Sequence, residues 1–235
     1  MSKIKSFRYL NCIFFFTFFF LSHPLSAANV VQYYNDIPLY LGGESYQIKF
    51  IHNKWKATRF SASEPAVTVD INNGYILIED RGTGGGVLTT EIAMFKSKRG
   101  QIYLVLSTKL MQGVPILEYT VKVLEKNRTE WNEVTETALP NINIQDFLTG
   151  KPINHHVIRS MKKSNVMDYV LPRVGTEIKI NLNIAWIDYF LTIQDTPADI
   201  RNAYLQFKKQ AVYKTICLKW DSVRAKFVFA RKIPA

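Results

Sequence analysis

Cysteine and histidine are scarce in this 235-residue chain, which contains two cysteines and four histidines. We predict that the segment holding Cys12 is removed, so Cys217 would remain alone and could form no internal disulfide. Cys217 lies in an apolar, strand-like run, which favours a buried and inert thiol. His155 and His156 are adjacent and would point in different directions on a helix, so they make a poor chelate. The sequence therefore predicts neither a metal site nor a cofactor.

Apolar runs long enough to cross a bilayer are also lacking, and the one pronounced run is short. The first 28 residues have the order of a secretory signal peptide. Its parts are a basic start, an apolar run and a small-residue cleavage site: Lys3, Lys5 and Arg8, residues 13–21, and Ser26-Ala27-Ala28. A membrane anchor is the weaker alternative, because a spanning helix needs roughly 20 apolar residues. We expect cleavage after Ala27 or Ala28, a periplasmic or secreted location, and no transmembrane segment in the mature chain.

Motifs of known catalytic chemistry are missing as well. The glycine-rich stretch at residues 81–86 lacks the Lys-Ser/Thr pair of a phosphate-binding loop and precedes a predicted strand, so we interpret it as a connection between strands. No Gly-x-Ser-x-Gly nucleophile is present. His155 or His156 could act as a general base with Asp168 or Asp188. Carboxylate pairs such as Glu79-Asp80 and Glu133/Glu136 are better explained by surface solubility than by glycoside hydrolysis.

Acidic residues are few in the last third of the chain, where positive charge is concentrated. The formal net charge is +11. Residues 29–150 contain 12 Lys+Arg and 13 Asp+Glu, whereas residues 151–235 contain 15 and 6. This asymmetry favours an anionic partner for the C-terminal part, and the alternative is a charged surface that only maintains solubility. We predict a signal peptide (1–28), a β-rich N-terminal part (29–150) and a basic α+β C-terminal part (151–235), packed together as one unit.

Alternation of apolar and polar residues with period two dominates the chain and predicts strands. In Glu177–Trp186 one face holds Ile178, Ile180, Leu182, Ile184 and Trp186, and the other holds Glu177, Lys179, Asn181 and Asn183. Tyr75–Ile78 and Ile102–Leu106 are apolar at every position, which is typical of central strands buried on both faces. Three hairpins are predicted: Tyr46–Ile51 with Trp55–Phe60, Leu117–Leu124 with the strand around Trp131, and Tyr213–Trp220 with Ala225–Ala230.

One helix is well marked, at about residues 197–210. Thr196 suits the N-cap and Pro197 the first helical position. The buried face is predicted from helical spacing: Ile200, Ala203, Tyr204, Phe207 and Ala211. A short helical turn is expected at Ile144–Leu148, and a weaker helix from Asn154 towards Lys163. The fold class is therefore α+β, with a predominantly antiparallel sheet, one clear packing helix and one or two short helices.

The basic residues of the C-terminal part are the best candidates for a binding surface, since Lys and Arg form charge-assisted hydrogen bonds with phosphate and carboxylate. The candidates are Arg159, Lys162, Lys163, Arg173, Lys208 and Lys209. We expect an exported bacterial binding protein whose partner is an anionic envelope component or an acidic protein surface; export disfavours nucleic acid. The alternatives are an exported hydrolase and an inhibitor or shielding partner of another exported protein.

Overall fold

The computed structural model describes residues 28–41, 46–58, 64–82, 85–112, 116–148, 166–194 and 196–235. In these segments, strands form three antiparallel sheets of two, four and six strands, joined by four α-helices. The α+β class with a predominantly antiparallel sheet is confirmed. None of the helices in the described segments has the length and apolarity needed to cross a bilayer.

Eight strands in succession follow the first described helix and its 3-10 turn, and the other four described strands come in two consecutive pairs. The helices are α1 (Val30–Asn35), α2 (Thr135–Ala138), α3 (Ile184–Thr192) and α4 (Ala198–Gln210), with 3-10 turns at Leu39–Leu41 and Ile144–Phe147. The strands are β1 (Gln47–Ile51), β2 (Lys54–Thr58), β3 (Ala66–Asp70), β4 (Tyr75–Asp80), β5 (Val87–Lys96), β6 (Ile102–Met111), β7 (Ile116–Asn127), β8 (Glu130–Glu133), β9 (Met167–Val170), β10 (Glu177–Leu182), β11 (Tyr213–Asp221) and β12 (Lys226–Pro234). The helical turn expected near Ile144 is confirmed.

All three predicted hairpins are present, as β1–β2, β7–β8 and β11–β12. Trp131 and Trp220, which lie close to two of the turns, are 4% and 7% exposed and cover the core as predicted. The Trp220 indole also donates a hydrogen bond of 3.0 Å to the carbonyl of Lys96. This bond joins the C-terminal hairpin to the end of β5.

The six-stranded sheet, in the order β3-β4-β5-β6-β7-β8, is covered on both faces. On one face, α1 and the β1–β2 hairpin pack on Ile76, Ile78, Ile92 and Leu104. On the other face, the four-stranded sheet and α4 share a core with Tyr75, Ala93, Phe95 and Val105. Burial on both faces explains why β4 and the middle of β6 are apolar without alternation, as the sequence predicted.

The four-stranded sheet has the order β12-β11-β10-β9, and here one prediction is wrong. The strand expected over Glu177–Trp186 ends at Leu182, and Ile184 and Trp186 belong to α3. The change occurs at Asn183, whose N–H donates to Val166 while its carbonyl accepts from Ile187. The second of these bonds is a helical one, so the chain leaves the sheet at this residue.

Helix α4 packs on the core through Ala203, Tyr204 and Phe207, and the fully buried Phe207 confirms the predicted apolar face. Ile200 is only partly buried. The predicted start is wrong by one position: Pro197 is the N-cap, and Thr196 precedes it. Pro197 has extended ψ, and its carbonyl accepts the first helical bond, from the N–H of Arg201 at 2.9 Å.

Candidate functional site

The strongest candidate site is the side of the four-stranded sheet that points away from the core, which we call the outer face. In β10 and β11, Ile178, Ile180, Ile216 and Leu218 point into the core. Because side chains alternate along a strand, the residues between them point outward. The outer face includes Glu177 and Lys179 in β10, Cys217, Lys219 and Asp221 in β11, and Lys226, Val228 and Arg231 in β12.

The register of the strands brings these residues together. Glu177 is directly opposite Lys219, and Lys179 is directly opposite Cys217. Cys217 is in turn opposite Arg231 on the other side of β11. A bulge between Cys217 and Leu218 sets this register in β12. Directly opposite residues have Cβ atoms about 5 Å apart, so the charged groups of three strands form one continuous surface.

A salt bridge spans the central strand of this surface. The Arg231 guanidinium lies 2.6 Å from Oε1 of Glu177, although β11 separates their strands. Cys217, between them, is fully buried, as the sequence predicted. Burial raises the pKa of the Cys217 thiol, and a hydrogen bond to the Glu177 carboxylate raises it further. The thiol is therefore protonated at neutral pH and is a poor nucleophile.

Three exposed lysines of the outer face, Lys179, Lys219 and Lys226, take part in none of the ion pairs of the described residues. Glu177 is paired with Arg231, Asp221 stands directly opposite Lys226, and the carboxylates of this sheet have partners of their own. Asp168 pairs with Lys109 at 2.8 Å. Asp221 accepts two backbone N–H groups of its own turn. The outer face consequently carries positive charge that the described part of the protein does not neutralise.

A second polar cluster is buried between the sheets and consists of Tyr75, Glu91, Ser107, Lys109 and Asp168. The Lys109 ammonium lies 2.8 Å from Asp168 and 3.8 Å from Oε2 of Glu91. The Tyr75 hydroxyl donates to the other Glu91 oxygen at 2.9 Å. Ser107 donates to the carbonyl of Tyr169 at 3.1 Å. These bonds attach the edge strand β9 to β5 and β6.

The interior cluster holds β9 to β5 and β6, and its geometry does not suit nucleophilic chemistry. Burial raises the pKa of the Glu91 carboxyl, while the Lys109 charge and the Tyr75 hydroxyl oppose that shift. The Lys109 ammonium is held between the carboxylates of Asp168 and Glu91. The Ser107 hydroxyl is directed at a backbone carbonyl and is fully buried. Lys109 and Ser107 therefore do not form a nucleophile–base pair.

The residues proposed from sequence are distributed over several parts of the chain. Arg159, Lys162 and Lys163, with the helix expected from Asn154, lie outside the described residues, as does the signal peptide up to residue 27. Arg173 is exposed and donates to Asp70 of β3 at 3.0 Å. Lys208 pairs with Asp188 of α3 at 2.6 Å, and its neighbour Lys209 is exposed. Helix α4, which carries both lysines, packs on the inward side of the four-stranded sheet.

The carboxylates considered for hydrolysis have structural partners. Asp168 and Asp188 each pair with a lysine, and His155 and His156 lie outside the described residues. Asp80 is buried, which corrects the expectation that Glu79-Asp80 is only a solubilising pair. Asp80 accepts hydrogen bonds from the Tyr46 hydroxyl at 3.0 Å and from the N–H of Gly82 at 2.8 Å. The start of the glycine-rich connection is thereby fixed to β4.

Metal ligands are not grouped in the part of the chain that the structure covers: it holds no set of three or more His, Cys, Asp or Glu residues that could bind an ion. Sequence reasoning recognised Glu177 and Lys179 as one polar strand face but did not join them to Lys219, Lys226 and Arg231. The available signal was the lysine pattern of the predicted β11–β12 hairpin. Only the pairing of β10 with β11 combines the two patterns into one surface.

No protein-family model matches the sequence, and no curated protein matches it. A solved structure of a domain of an uncharacterized protein from Porphyromonas gingivalis W83 is similar, with 14% sequence identity and a TM-score of 0.49. The similarity covers 74% of this chain and 79% of that chain. We take no residue role from it, because function depends on site residues and not on the course of the chain.

Proposed function

We propose that this is an exported binding protein whose outer face holds an anionic polymer of the cell envelope. The observation that carries the proposal is a set of exposed lysines on three neighbouring strands, Lys179, Lys219 and Lys226, for which the described residues supply no ion-pair partner. Cations so placed attract a polyanion and raise its rate of association. The excess of 15 Lys+Arg over 6 Asp+Glu in residues 151–235 adds to this field.

The spacing of the face suits a ligand with repeated charges. Neighbouring strands lie about 4.8 Å apart, so the Lys179 and Arg231 strands, two positions apart, are separated by about 10 Å. A linear polymer that crosses the strands would meet a cation at each one. A single small anion would leave some of these cations, such as Lys226, without a ligand contact.

A polymer fits the face better than an acidic protein surface does. The cores of protein–protein interfaces are rich in aromatic residues and depleted in lysine. Apolar residues of the outer face include half-buried Val170, directly opposite Lys179, half-buried Val228 and, near the end of β12, half-buried Ile233, and all three are aliphatic. Binding here would rest on charge, and exposed charges are screened beyond about 8 Å at physiological ionic strength.

Export is the second part of the proposal, and the sequence supports it through the signal-peptide order of residues 1–28. The periplasm or the cell exterior would then be the site of action. Anionic polymers are available there, whereas the nucleic acids of the cytoplasm are not. The charge segregation and the export signal therefore favour the same class of ligand.

The test compares binding to immobilised dextran sulfate and to neutral dextran, with a protein that starts at Asn29. Reversing Lys179, Lys219 and Lys226 to Glu should weaken binding to dextran sulfate by at least about tenfold, because three attractive contacts become repulsive. The matched control reverses Lys49, Lys54 and Lys98, which are exposed, lie in the N-terminal part and take part in none of the ion pairs between described residues. It makes the same change in net charge and should alter binding by less than about twofold.

Two results would contradict the proposal. Equal losses in both triple variants would show that net charge, not the outer face, determines binding. Binding to poly-L-glutamate without binding to dextran sulfate or polyphosphate would identify an acidic protein surface as the partner.

A further inference from the structure

Glu177 is the first residue of β10, and cationic residues occupy neighbouring positions on the outer face. Its carboxylate accepts a bond of 2.6 Å from Arg231. Lys219 stands directly opposite it in β11, and Lys179 follows two positions later on the same face of β10. One carboxylate therefore lies among three cationic side chains, and the group retains a net positive charge.

The ion pair that holds Glu177 is open to exchange. The Arg231 side chain is 59% exposed and that of Glu177 is 24% exposed. Exposed pairs are weak, because water screens the attraction and because two long side chains must be held in one geometry. Arg231 presents a planar fork of N–H donors that matches the paired oxygens of carboxylate and phosphate, and sulfate offers oxygen acceptors of the same kind. An external anion can thus replace the internal one.

We infer that Arg231, Lys179 and Lys219 form an anion subsite that Glu177 occupies in the free protein and vacates when an anionic group of the ligand binds. This inference rests on the proposed function and assigns the ligand's anion to a particular place on the outer face. The ligand group is a carboxylate, sulfate or phosphate. Glu177 acts as an internal competitor that lowers affinity and selects ligands carrying several charges over single anions.

The reactivity of the Cys217 thiol tests the Glu177–Arg231 contact in the absence of any ligand. Its thiol is fully buried beneath the Glu177–Arg231 pair. Truncating Glu177→Ala should uncover it and increase its rate of modification by N-ethylmaleimide, a neutral reagent, by at least about threefold. The unchanged protein should react slowly.

The main experiment measures the affinity for dextran sulfate of Glu177→Gln and of a matched control, Glu130→Gln. Glu130 is an exposed carboxylate in the β7–β8 hairpin, so both variants lose one negative charge. Glu177→Gln should bind about two- to fivefold more tightly, the range expected for removal of a weak internal pair. Glu130→Gln should change affinity by less than about 1.3-fold.

A double-variant comparison separates the subsite from general electrostatics. In an Arg231→Gln background, Glu177 has lost its partner, so Glu177→Gln should no longer raise affinity by the full factor. The measurement is repeated with polyphosphate and with polyglucuronate. The three affinities show whether the subsite prefers phosphate, carboxylate or sulfate.

The outcomes distinguish this inference from the proposed function. Equal gains from Glu177→Gln and Glu130→Gln, or a full gain in the Arg231→Gln background, would overturn the subsite while binding to the outer face stands. Absence of binding by the unchanged protein would overturn the proposed function and the subsite with it. An unaltered maleimide rate in Glu177→Ala would contradict the shielding of Cys217 in either case.

Discussion

The Lys109 ammonium lies 2.8 Å from Oδ1 of Asp168, and this pair joins the six-stranded sheet to the edge strand of the four-stranded sheet. The side chains are 12% and 20% exposed. Glu91 is the second carboxylate near Lys109, at 3.8 Å, and its side chain is 9% exposed. Charges so far removed from water persist only when they are paired, so each member of this group depends on the others.

Lys109→Met should destabilise the protein by about 3 kcal/mol, because two carboxylates would remain buried or half-buried without a cation. The matched control is Lys122→Met in the adjacent strand β7, where Lys122 and Glu133 are 36% and 40% exposed at 3.6 Å. That change should cost less than about 1 kcal/mol. Urea unfolding followed by tryptophan fluorescence measures both values. Equal costs would show that the interior group does not hold the two sheets together.

Protonation of Glu91 should stabilise the protein. Burial raises its pKa in the folded state, whereas in the unfolded chain it titrates near about 4.3. Folding therefore takes up a proton between these two pKa values. The contribution of Glu91 to stability is fully present below about pH 4 and is lost as the pH rises through the folded-state pKa.

Glu91→Gln removes this titration and tests the sign of the effect. The unfolding free energy of the unchanged protein, minus that of Glu91→Gln, should fall as the pH rises from about 4 to about 7. Urea titrations at intermediate pH values give the curve. A difference that stays constant or rises with pH would mean that Lys109 and Tyr75 outweigh the desolvation of Glu91.

Phe207→Ala in α4 should cost about 3–5 kcal/mol, the range for removing a large side chain from a packed core. Phe207 is fully buried, in contact with the core shared by the four-stranded sheet and the six-stranded sheet. Leu205→Ala, two residues away, is the comparison, because Leu205 is 41% exposed. It should cost less than about 1 kcal/mol. A loss below about 1 kcal/mol for Phe207→Ala would make α4 peripheral.

Local patterns were sufficient to predict most of the strands and the apolar face of α4, because each depends on neighbours in sequence. They failed at the end of β10. Residues 178–186 alternate with period two, but Ile184, Ile187 and Leu191 also fit helical spacing. The choice is made at Asn183, whose N–H donates to the carbonyl of Val166, the residue just before β9. The pattern of residues 178–186 alone cannot predict this hydrogen bond, because its acceptor lies in another part of the chain.

The candidate site was predictable only in part, for a related reason. A polar face on β10 follows from alternation and needs no tertiary information. The pairing of Glu177 with Arg231 depends on β11 lying between their strands and on the bulge at Cys217/Leu218. The interior cluster could not be predicted from strand pairing either. Asp168 reaches Lys109 only because one sheet packs on the other.

The export proposal makes a prediction about the N-terminus of the protein recovered from its own organism. Cleavage after Ala28 would leave Asn29 first, and cleavage after Ala27 would leave Ala28 first. In either form Asn29 keeps its cap on α1, where its side chain accepts from Val31 and Gln32 and its own N–H donates to Gln32 at 2.8 Å. The capping bonds of Asn29 are therefore available after either cleavage.

N-terminal sequencing of protein from the extracytoplasmic fraction should return Ala28 or Asn29. Ser26→Phe places a large residue at the third position before the Ala28 site and should shift cleavage to follow Ala27 or retain the precursor. Asn53→Phe, in the β1–β2 turn, is the control for a large exposed substitution and should leave processing unchanged. Recovery of Met1 or Ser2 at the N-terminus of the unchanged protein would contradict export by signal-peptide cleavage. Binding to envelope polymers would then lose its cellular setting, even if the outer face binds dextran sulfate.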